Sequence, residues 1–244
     1  MLAVSNYAAS QAEKYLGVAR NRLRVTLEGV SATYRPSERA DDIAAAAARA
    51  GVPAGARWLI YVGGFGPHKH VDLIVRAHAS VVRRSQQSVA LVLAGPSQDG
   101  FHGDVAGIKK TVAECGTGDL VRWVGYLPDE DLRHLHSGAV ALMLVSASEG
   151  FGLPAVEAAR CGAPVIATIE SPLPNILSGG GVFVPPGSAP AITRAIELLL
   201  TDEPARLAMG AKALERASAL SWTHSARVAL DALEATAAPR RKVA

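Results

Sequence analysis

The central part of the chain alternates short apolar runs with amphipathic segments. The apolar runs predict strands at Trp58–Val62, Val89–Ala94, Val121–Val124, Ala139–Val145, Val165–Thr168 and Val182–Val184. The segments between them have helical spacing and predict helices at Val71–Arg83, Asp104–Glu114, Asp129–His136 and Leu153–Cys161. Continuous apolar strands joined by helices are typical of a parallel sheet covered on both faces. We therefore expect an α/β fold with a Rossmann-like parallel sheet of about six strands flanked by helices.

The two ends of the chain follow other patterns. After Val184 three consecutive helices are predicted, with Thr201, Asp202 and Ser221 as candidate caps, at Ala189–Leu200, Glu203–Ala217 and Trp222–Ala235. The first residues predict a strand end, a helix capped by Ser5 and a second strand, at Leu2–Val4, 6–15 and Arg24–Leu27. One strand and one helix ahead of a complete sheet resemble the last fragment of another domain. Residues 36–56 are predicted to be a linker with one alanine-rich helix.

Composition narrows the classes of protein. The chain has 244 residues, 49% of them hydrophobic, and a formal net charge of +3, which is too small and too dispersed to indicate nucleic-acid binding. Cys115 and Cys161 are isolated in apolar surroundings and are expected to be buried, reduced thiols.

No apolar run approaches the roughly 18 residues of a membrane span, and no signal peptide opens the chain, so a cytoplasmic location is expected. The basic tail Pro239–Lys242 gives only weak support for peripheral contact with the inner face of a membrane.

The most informative segment is Glu149–Glu157, which reads Glu-Gly-Phe-Gly-Leu-Pro-Ala-Val-Glu and joins a predicted strand to a predicted helix. Pro154 suits the first turn of a helix. Gly150 and Gly152 allow backbone amides to approach a ligand at a helix start, where anions bind well. Two carboxylates beside such an anion site suit a ligand that carries hydroxyls next to a phosphate. We expect both to face a cleft at the carboxyl ends of the strands, where open α/β sheets bind ligands.

The order of motifs resembles the C-terminal half of retaining glycosyltransferases with the GT-B fold, in the large bacterial family called glycosyl transferases group 1 (family 4). The motifs that carry the resemblance are Val4–Tyr7, Tyr61–Gly64, His68–Lys69, Leu93–Pro96, Val124–Leu127, Glu149–Glu157, Cys161–Pro164, Val184–Gly187 and Ser221–Trp222. They cover nearly the whole chain. The resemblance implies an enzyme that uses a nucleotide-sugar donor without a metal.

The resemblance also implies roles for individual residues. Glu157 would accept hydrogen bonds from the ribose hydroxyls, and Glu149 would hold hydroxyls of the transferred sugar. Lys69 would neutralise the leaving diphosphate. Lys69 and Glu149 are thus the implied catalytic residues, and the implied donor-binding residues are Gly63, Gly64, His68, Lys69, Tyr126, Leu127, Glu149, Gly150, Phe151, Gly152, Leu153 and Glu157.

Other features of the site are implied with them. Retention would proceed by front-face attack, with the leaving phosphate accepting the acceptor's proton, so no carboxylate nucleophile is needed. No cofactor or metal is expected, although His68 and His70 form an H-x-H pair. His134 and His136 are expected to be surface histidines.

The sequence departs from the family pattern in its positive charges. The family places an arginine where this chain has Gly64, and related branches place one where it has His68, so one of two expected cations is missing. A lost bidentate phosphate contact would weaken donor binding by about tenfold or more. In the loop Ser171–Asn175, Asn175 stands where an acidic residue is common.

The family resemblance also divides the chain. Residues 1–35 correspond to the end of the acceptor domain and the interdomain segment, 36–221 to the donor-binding domain, and 222–244 to a crossover helix and basic tail. The expected partners are a nucleotide-sugar donor, UDP- or GDP-linked, and a separate or missing acceptor domain. Without that domain, the final helix would expose its apolar face and the isolated chain would transfer sugar poorly.

Three other functions fit parts of the sequence less well than a glycosyltransferase does. The main alternative is a non-catalytic nucleotide-sugar-binding or regulatory subunit of a glycosyltransferase complex. A nucleotide-sugar epimerase on a similar scaffold is less favoured. A dinucleotide dehydrogenase is disfavoured because no G-x-G-x-x-G motif opens the first complete strand–helix unit.

Overall fold

The computed structural model describes residues 1–85, 88–96 and 103–237. In chain order the elements are β1 (Leu2–Ala3), α1 (Asn6–Leu16), β2 (Arg24–Val25), α2 (Ala40–Arg49), β3 (Arg57–Val62), α3 (Val71–Ser85), β4 (Val89–Ala94), α4 (Val105–Cys115), β5 (Val121–Gly125), α5 (Asp129–Gly138), β6 (Ala141–Leu144), α6 (Leu153–Arg160), β7 (Val165–Thr168), α7 (Leu173–Ile176), β8 (Gly181–Val184), α8 (Ala189–Thr201), α9 (Glu203–Ser218) and α10 (Trp222–Ala237). The basic tail Pro239–Lys242 lies outside the described residues.

Six strands form one parallel sheet in the order β5-β4-β3-β6-β7-β8. The chain builds outward from β3 to β5 and then restarts beside β3 with β6, so the strand order reverses between β3 and β6. Ligands of such sheets bind outside the carboxyl ends of the strands at this point of reversal. The predicted fold class, α/β with a Rossmann-like parallel sheet, is confirmed.

The sheet is covered on both faces, as its continuous apolar strands require. Along β3, Trp58 and Ile60 pack on one face with α2, α5, α6 and α9, while Leu59 and Tyr61 pack on the other with α3, α4 and α8. Each of these four side chains is buried. Two separate apolar layers therefore fix the strand ends that carry the site.

β1, α1 and β2, together with α10, form a small unit beside this domain. β1 pairs in parallel with β2 in a separate two-stranded sheet, and Ser5 caps α1 as predicted by accepting a hydrogen bond from the Ala8 amide at 2.9 Å. α10 crosses back to β2: the Oγ1 of Thr26 donates to the carbonyl of Ser225 at 3.1 Å, and the Oγ of Ser225 donates to the carbonyl of Leu27.

The predicted exposure of the last helix is confirmed. Trp222, Leu230 and Leu233 are 51%, 54% and 62% exposed. A Cβ at Gly29 would collide with the backbone of Trp222, so the start of α10 depends on a glycine in the facing segment. One side of α10 therefore packs against the β2 segment, and another side is exposed to solvent.

Some predicted details were wrong. His136 is not a surface residue: it is fully buried, because α5 turns Leu132, Leu135 and His136 toward the sheet, and burial lowers the pKa of its imidazole to about 3. Cys115 is only half-buried, whereas Cys161 is buried with a thiol pKa raised to about 12 by burial.

Two further details differ. Thr201 is not a cap but belongs to the last turn of α8, whereas Asp202 caps α9 as predicted by accepting from the Ala205 amide at 2.9 Å. The segment Ser171–Asn175, predicted to be a loop, includes the start of the short helix α7. Across the described ranges, no helix is long and apolar enough to cross a membrane.

Candidate functional site

Two loops meet where the strand order reverses. The loop after β3 begins with Gly63, which has a φ of +151°. Gly95, after β4, has no space for a Cβ because the carbonyl of Gly63 and the ring of Phe65 lie against it. The lack of a side chain at Gly95 therefore lets the ends of β3 and β4 approach closely.

Lys69 and Glu149 form an ion pair across this junction. The Nζ of Lys69, in the loop after β3, lies 2.7 Å from Oε1 of Glu149, in the loop after β6. The hydroxyl of Ser146 donates to the same carboxylate oxygen at 2.6 Å. The two side chains are 24% and 13% exposed, so they are shielded yet reachable by a ligand. The residues that the resemblance implied as catalytic are thus brought into contact.

Backbone contacts hold the Lys69 loop in place. The amide of Ala147 donates to the carbonyl of His68 at 2.8 Å, and Nδ1 of His70 lies 3.2 Å from the carbonyl oxygen of Val145. His70 has a φ of +53°, an uncommon conformation for a residue with a side chain. The buried hydroxyl of Tyr61 donates to the carbonyl of Gly64. These contacts orient the lysine toward Glu149.

The start of α6 keeps the predicted form. Gly152 has a φ of +90°, and a Cβ there would lie 2.9 Å from Cδ1 of Leu173. Pro154 lies in the first turn, and no side chain caps the helix start. The Phe151 ring is buried in the core and anchors the loop, Gly150 is exposed, and Leu153 is half-buried at the first helical position. The uncapped helix start is free to receive an anion.

Glu157 lies one turn inside α6 and is half-buried. Burial, followed by the nearby carboxylates of Asp129 and Glu28, raises its pKa to about 7. No lysine or arginine in the described part of the chain pairs with it. Its carboxyl group is therefore available to a ligand.

A cavity of about 230 Å³ opens beside the ends of β3, β4 and β5. Its lining consists of Val62, Gly63, Ala94, Gly95, Pro96, Gly125, Tyr126, Leu127, Asp129 and Leu132. Tyr126 is 87% exposed at the rim. The lining is mainly apolar, which suits a flat aromatic group.

The first residues of the chain support the loop that carries Glu149. The Oγ of Ser5 donates to the carbonyl of Gly150 at 2.6 Å. The hydroxyl of Tyr7 donates to Oε2 of Glu170 at 3.1 Å and lies 3.2 Å from Oγ of Ser148. The Glu149 amide in turn donates to the carbonyl of Glu170 at 3.0 Å. The small N-terminal unit is therefore attached to the site.

A profile of the family described as "Glycosyl transferases group 1" matches residues 42–216. The chain belongs to this family. The O-antigen chain mannosyltransferase B of Escherichia coli is 28% identical over 91% of the chain and 57% of its own length. The D-inositol 3-phosphate glycosyltransferase of Frankia alni is 34% identical over 85% of the chain and 51% of its own length.

Among solved structures, the sucrose-phosphate synthase of Thermosynechococcus elongatus superposes with a TM-score of 0.83 at 27% identity, over 98% of this chain and 58% of the other. The chain thus spans about half the length of the relatives that it matches. The similarity to the C-terminal half of GT-B glycosyltransferases is confirmed.

The donor-binding residues implied by the family resemblance lie in two clusters. Lys69, Glu149 and the Gly150–Gly152 loop lie at the reversal point, and Tyr126 and Leu127 line the cavity with Gly63. Glu157 lies near Asp129, on the side of the cavity. Gly64 and His68 are exposed, and glycine has no side chain with which to reach the Lys69–Glu149 pair.

Three residues next to these two clusters were not predicted from the sequence, namely Ser146, Tyr34 and Asp129. Ser146 could have been found as a polar residue directly after a buried strand. Tyr34 and Asp129 are 95 residues apart in the sequence, yet the hydroxyl of Tyr34 donates to Oδ1 of Asp129 at 3.1 Å. No local pattern indicates that pairing, because it depends on how the segment before α2 crosses α5.

Within the described ranges no three His, Cys, Asp or Glu side chains are grouped so that they could hold a metal ion. His70 directs one ring nitrogen to a backbone carbonyl, and His68 is exposed.

Proposed function

We propose that this chain is the donor-binding part of a retaining glycosyltransferase, which moves a sugar from a UDP- or GDP-linked donor to a glycan or lipid-linked acceptor. The observation that carries the proposal is the contact between Lys69 and Glu149 at the reversal point of the sheet. The same edge of the sheet also carries an apolar cavity at the ends of β3, β4 and β5 and the uncapped start of α6. In this proposal the cavity takes the base, Lys69 and the helix start take the diphosphate, and Glu149 takes the sugar.

In this proposal donor binding exchanges the partners of the ion pair. The diphosphate takes the Lys69 ammonium, and hydroxyls of the sugar donate to Glu149. When the glycosidic bond breaks, negative charge develops on the leaving phosphate, and Lys69 stabilises it. That phosphate accepts the proton of the attacking acceptor hydroxyl, so retention needs no carboxylate nucleophile.

Glu157 binds the ribose of the donor in this scheme. Ribose hydroxyls donate best to an ionised carboxylate. Because the carboxyl group of the free protein has a pKa of about 7, ribose binding at neutral pH displaces a proton from part of the molecules. The proposed reaction requires no divalent cation, since Lys69 supplies the positive charge.

The acceptor is bound by a separate or missing domain in this proposal. Two observations support a partner surface at the small N-terminal unit: relatives are about twice as long as the matched segment, and α10 exposes Trp222, Leu230 and Leu233. Residues 1–35 and 222–237 together would contact that domain, with 36–221 binding the donor. The isolated chain is then expected to bind donor but to transfer sugar slowly.

Calorimetric titration with UDP, GDP and their sugars, in buffer with a chelator, tests the donor site. We expect binding that Glu157→Ala and Lys69→Ala each weaken by about tenfold or more. Glu203→Ala and Lys212→Ala are matched controls, because both residues form exposed ion pairs on α9, and they should bind as wild type does. A folded chain that binds no nucleotide at millimolar concentration would contradict the proposal.

A non-catalytic nucleotide-sugar-binding subunit is the second candidate, and Gly64 favours it. The position is exposed, a Cβ there would meet nothing within 4 Å, and no cation occupies it. The two functions differ in whether bound nucleotide-sugar is broken down. Nucleotide released in the presence of an acceptor, and lost in Lys69→Ala, supports the enzyme, whereas tight binding without release supports the subunit.

A further inference from the structure

Among the described residues that line the cavity beside β4 and β5, Asp129 alone has a charged side chain. Backbone and apolar groups form its walls, and Asp129 places a carboxylate at the edge. Sugar hydroxyls or phosphate oxygens would find few partners against such walls, whereas a planar base would bury its faces there. The occupant suited to this cavity is therefore the base of the donor, and Asp129 would face the edge of that base.

Asp129 is held in position by contacts outside the cavity. Its Oδ1 accepts the hydroxyl of Tyr34 at 3.1 Å, and the Tyr34 ring is buried, with its centroid 6.3 Å from that of His136. Asp129 is also the first residue of α5, where the helix dipole favours a negative charge. Its Oδ2 has no hydrogen-bond partner within the described residues. Tyr34 thus fixes the orientation of the carboxylate. Because each carboxylate oxygen can accept two hydrogen bonds, both oxygens can still bind a ligand.

A carboxylate can only accept hydrogen bonds, and this property distinguishes the bases. Guanine presents two neighbouring donors on one edge, the N1–H and the exocyclic amino group. Uracil presents one N–H between two carbonyl oxygens, which a carboxylate repels. Adenine and cytosine each place an amino group beside a ring-nitrogen acceptor. Guanine is therefore the base that matches Asp129.

We propose that Asp129, positioned by Tyr34, selects a guanine base, so that the donor is a GDP-linked sugar. The inference rests on the proposed donor site and names the class of nucleotide that it takes. A good bidentate contact with a base discriminates by roughly 10- to 100-fold, which sets the expected preference for GDP over UDP.

Calorimetric titration of the full chain with GDP, UDP and ADP tests this preference. We expect GDP to bind at least tenfold more tightly than UDP or ADP. Asp129→Asn should weaken GDP by about tenfold and change UDP by less than threefold, because the amide nitrogen would oppose the guanine donors. Tyr34→Phe should reduce the preference by about threefold while GDP still binds, since the carboxylate remains but is no longer held.

Asp131→Asn is the matched control: it removes the same charge from the first turn of α5, but Asp131 pairs with Arg49 and does not line the cavity. It should leave the preference for GDP unchanged. Equal or tighter binding of UDP, lost in Glu157→Ala, would overturn the guanine assignment while leaving the donor site intact. An unchanged preference in Asp129→Asn would also overturn it. Absence of binding by all three nucleotides would overturn the assignment together with the proposed donor site.

Discussion

The six-stranded domain and the small unit made by β1, β2, α1 and α10 differ in how they are covered. In the large sheet, helices cover both faces, and β4 is buried along its whole length. Among the described residues, the small unit carries most of the large apolar side chains that are exposed, namely Met1, Leu2, Tyr15, Leu16, Trp222, Leu230 and Leu233. A two-stranded sheet is marginal by itself. The comparison indicates that the large domain provides the stability and that the small unit is ordered by its attachments.

The sharpest test of this comparison uses the same substitution in both regions. Leu142, in β6, is fully buried, whereas Leu233, in α10, is 62% exposed. Leu142→Ala should lower the free energy of unfolding by about 3–4 kcal/mol, because a cavity remains in a packed core. Leu233→Ala should change it by less than about 0.5 kcal/mol. Urea denaturation of the two variants measures both values. A cost above about 1 kcal/mol at Leu233 would show that this face is covered in solution, and the contrast between the regions would fail.

A second test concerns the pH dependence of stability in the large domain. The pKa of Glu157 is about 7 in the folded protein, against a reference value of 4.5. Between these values the folded chain holds a proton that the unfolded chain releases, so stability falls as pH rises from about 4.5 to 7. At about 1.4 kcal/mol per unit of pKa, the loss over these 2.5 units amounts to at most about 3.5 kcal/mol.

Glu157→Gln should abolish this loss, so its stability relative to wild type should increase from pH 5 to pH 8 in denaturation experiments. Glu114→Gln, which neutralises an exposed carboxylate on α4 whose partner Arg76 is also exposed, serves as the control and should keep the wild-type slope. Parallel curves for wild type and Glu157→Gln would contradict the raised pKa. Below pH 7 we also expect weaker binding of a nucleotide-sugar, whose phosphates do not titrate in this range.

A third test weakens the attachment between the regions. Ser5 is fully buried, caps α1 and donates to the carbonyl of Gly150. Ser5→Ala should cost about 1–2 kcal/mol, the usual loss for a helix cap and a buried hydrogen bond. Hydrogen exchange should rise in α1 and in the Gly150–Gly152 loop but not in β4. Equal protection in all three segments would show that the small unit is ordered without this contact.

The smallest effect is expected at Tyr7. Its exposed hydroxyl contacts Ser148 and Glu170, so Tyr7→Phe should change stability by about 0.5 kcal/mol or less. Nucleotide affinity should fall by threefold at most. A larger loss of affinity with unchanged stability would show that the N-terminal unit positions Glu149 more strongly than the comparison implies.

The large domain could be predicted because burial on two faces leaves a strong pattern. Val89–Ala94 and Val165–Thr168 were predicted with their observed bounds. The predicted strand Ala139–Val145 was too long, since the ladder includes only Ala141–Leu144 although Ala139, Val140 and Val145 are also buried. An apolar run indicates which residues are buried, and the buried segment is longer than the hydrogen-bonded strand.

The site could be predicted only in part. The Glu149–Glu157 motif and the rule for strand ends predict a cleft that both carboxylates face. A cavity does lie at the ends of β3, β4 and β5, but neither glutamate is among its described lining residues. Nor did the sequence indicate that Lys69 and Glu149, 80 residues apart, would pair. The error at His136 has a related cause. A polar residue in a short helix is expected to face solvent, yet tertiary packing of α5 decides its environment.

The contact between Lys69 and Glu149 also determines how strongly the cleft attracts an approaching anion. The two opposite charges lie 2.7 Å apart, so their fields largely cancel beyond the cleft, and Gly64 adds no charge of its own. Electrostatic steering of a diphosphate is then weak, and the association rate constant should change little with ionic strength. The nucleotide then reaches the cleft by diffusion alone. Nucleotides should differ mainly in their dissociation rate constants, with the matched one dissociating most slowly.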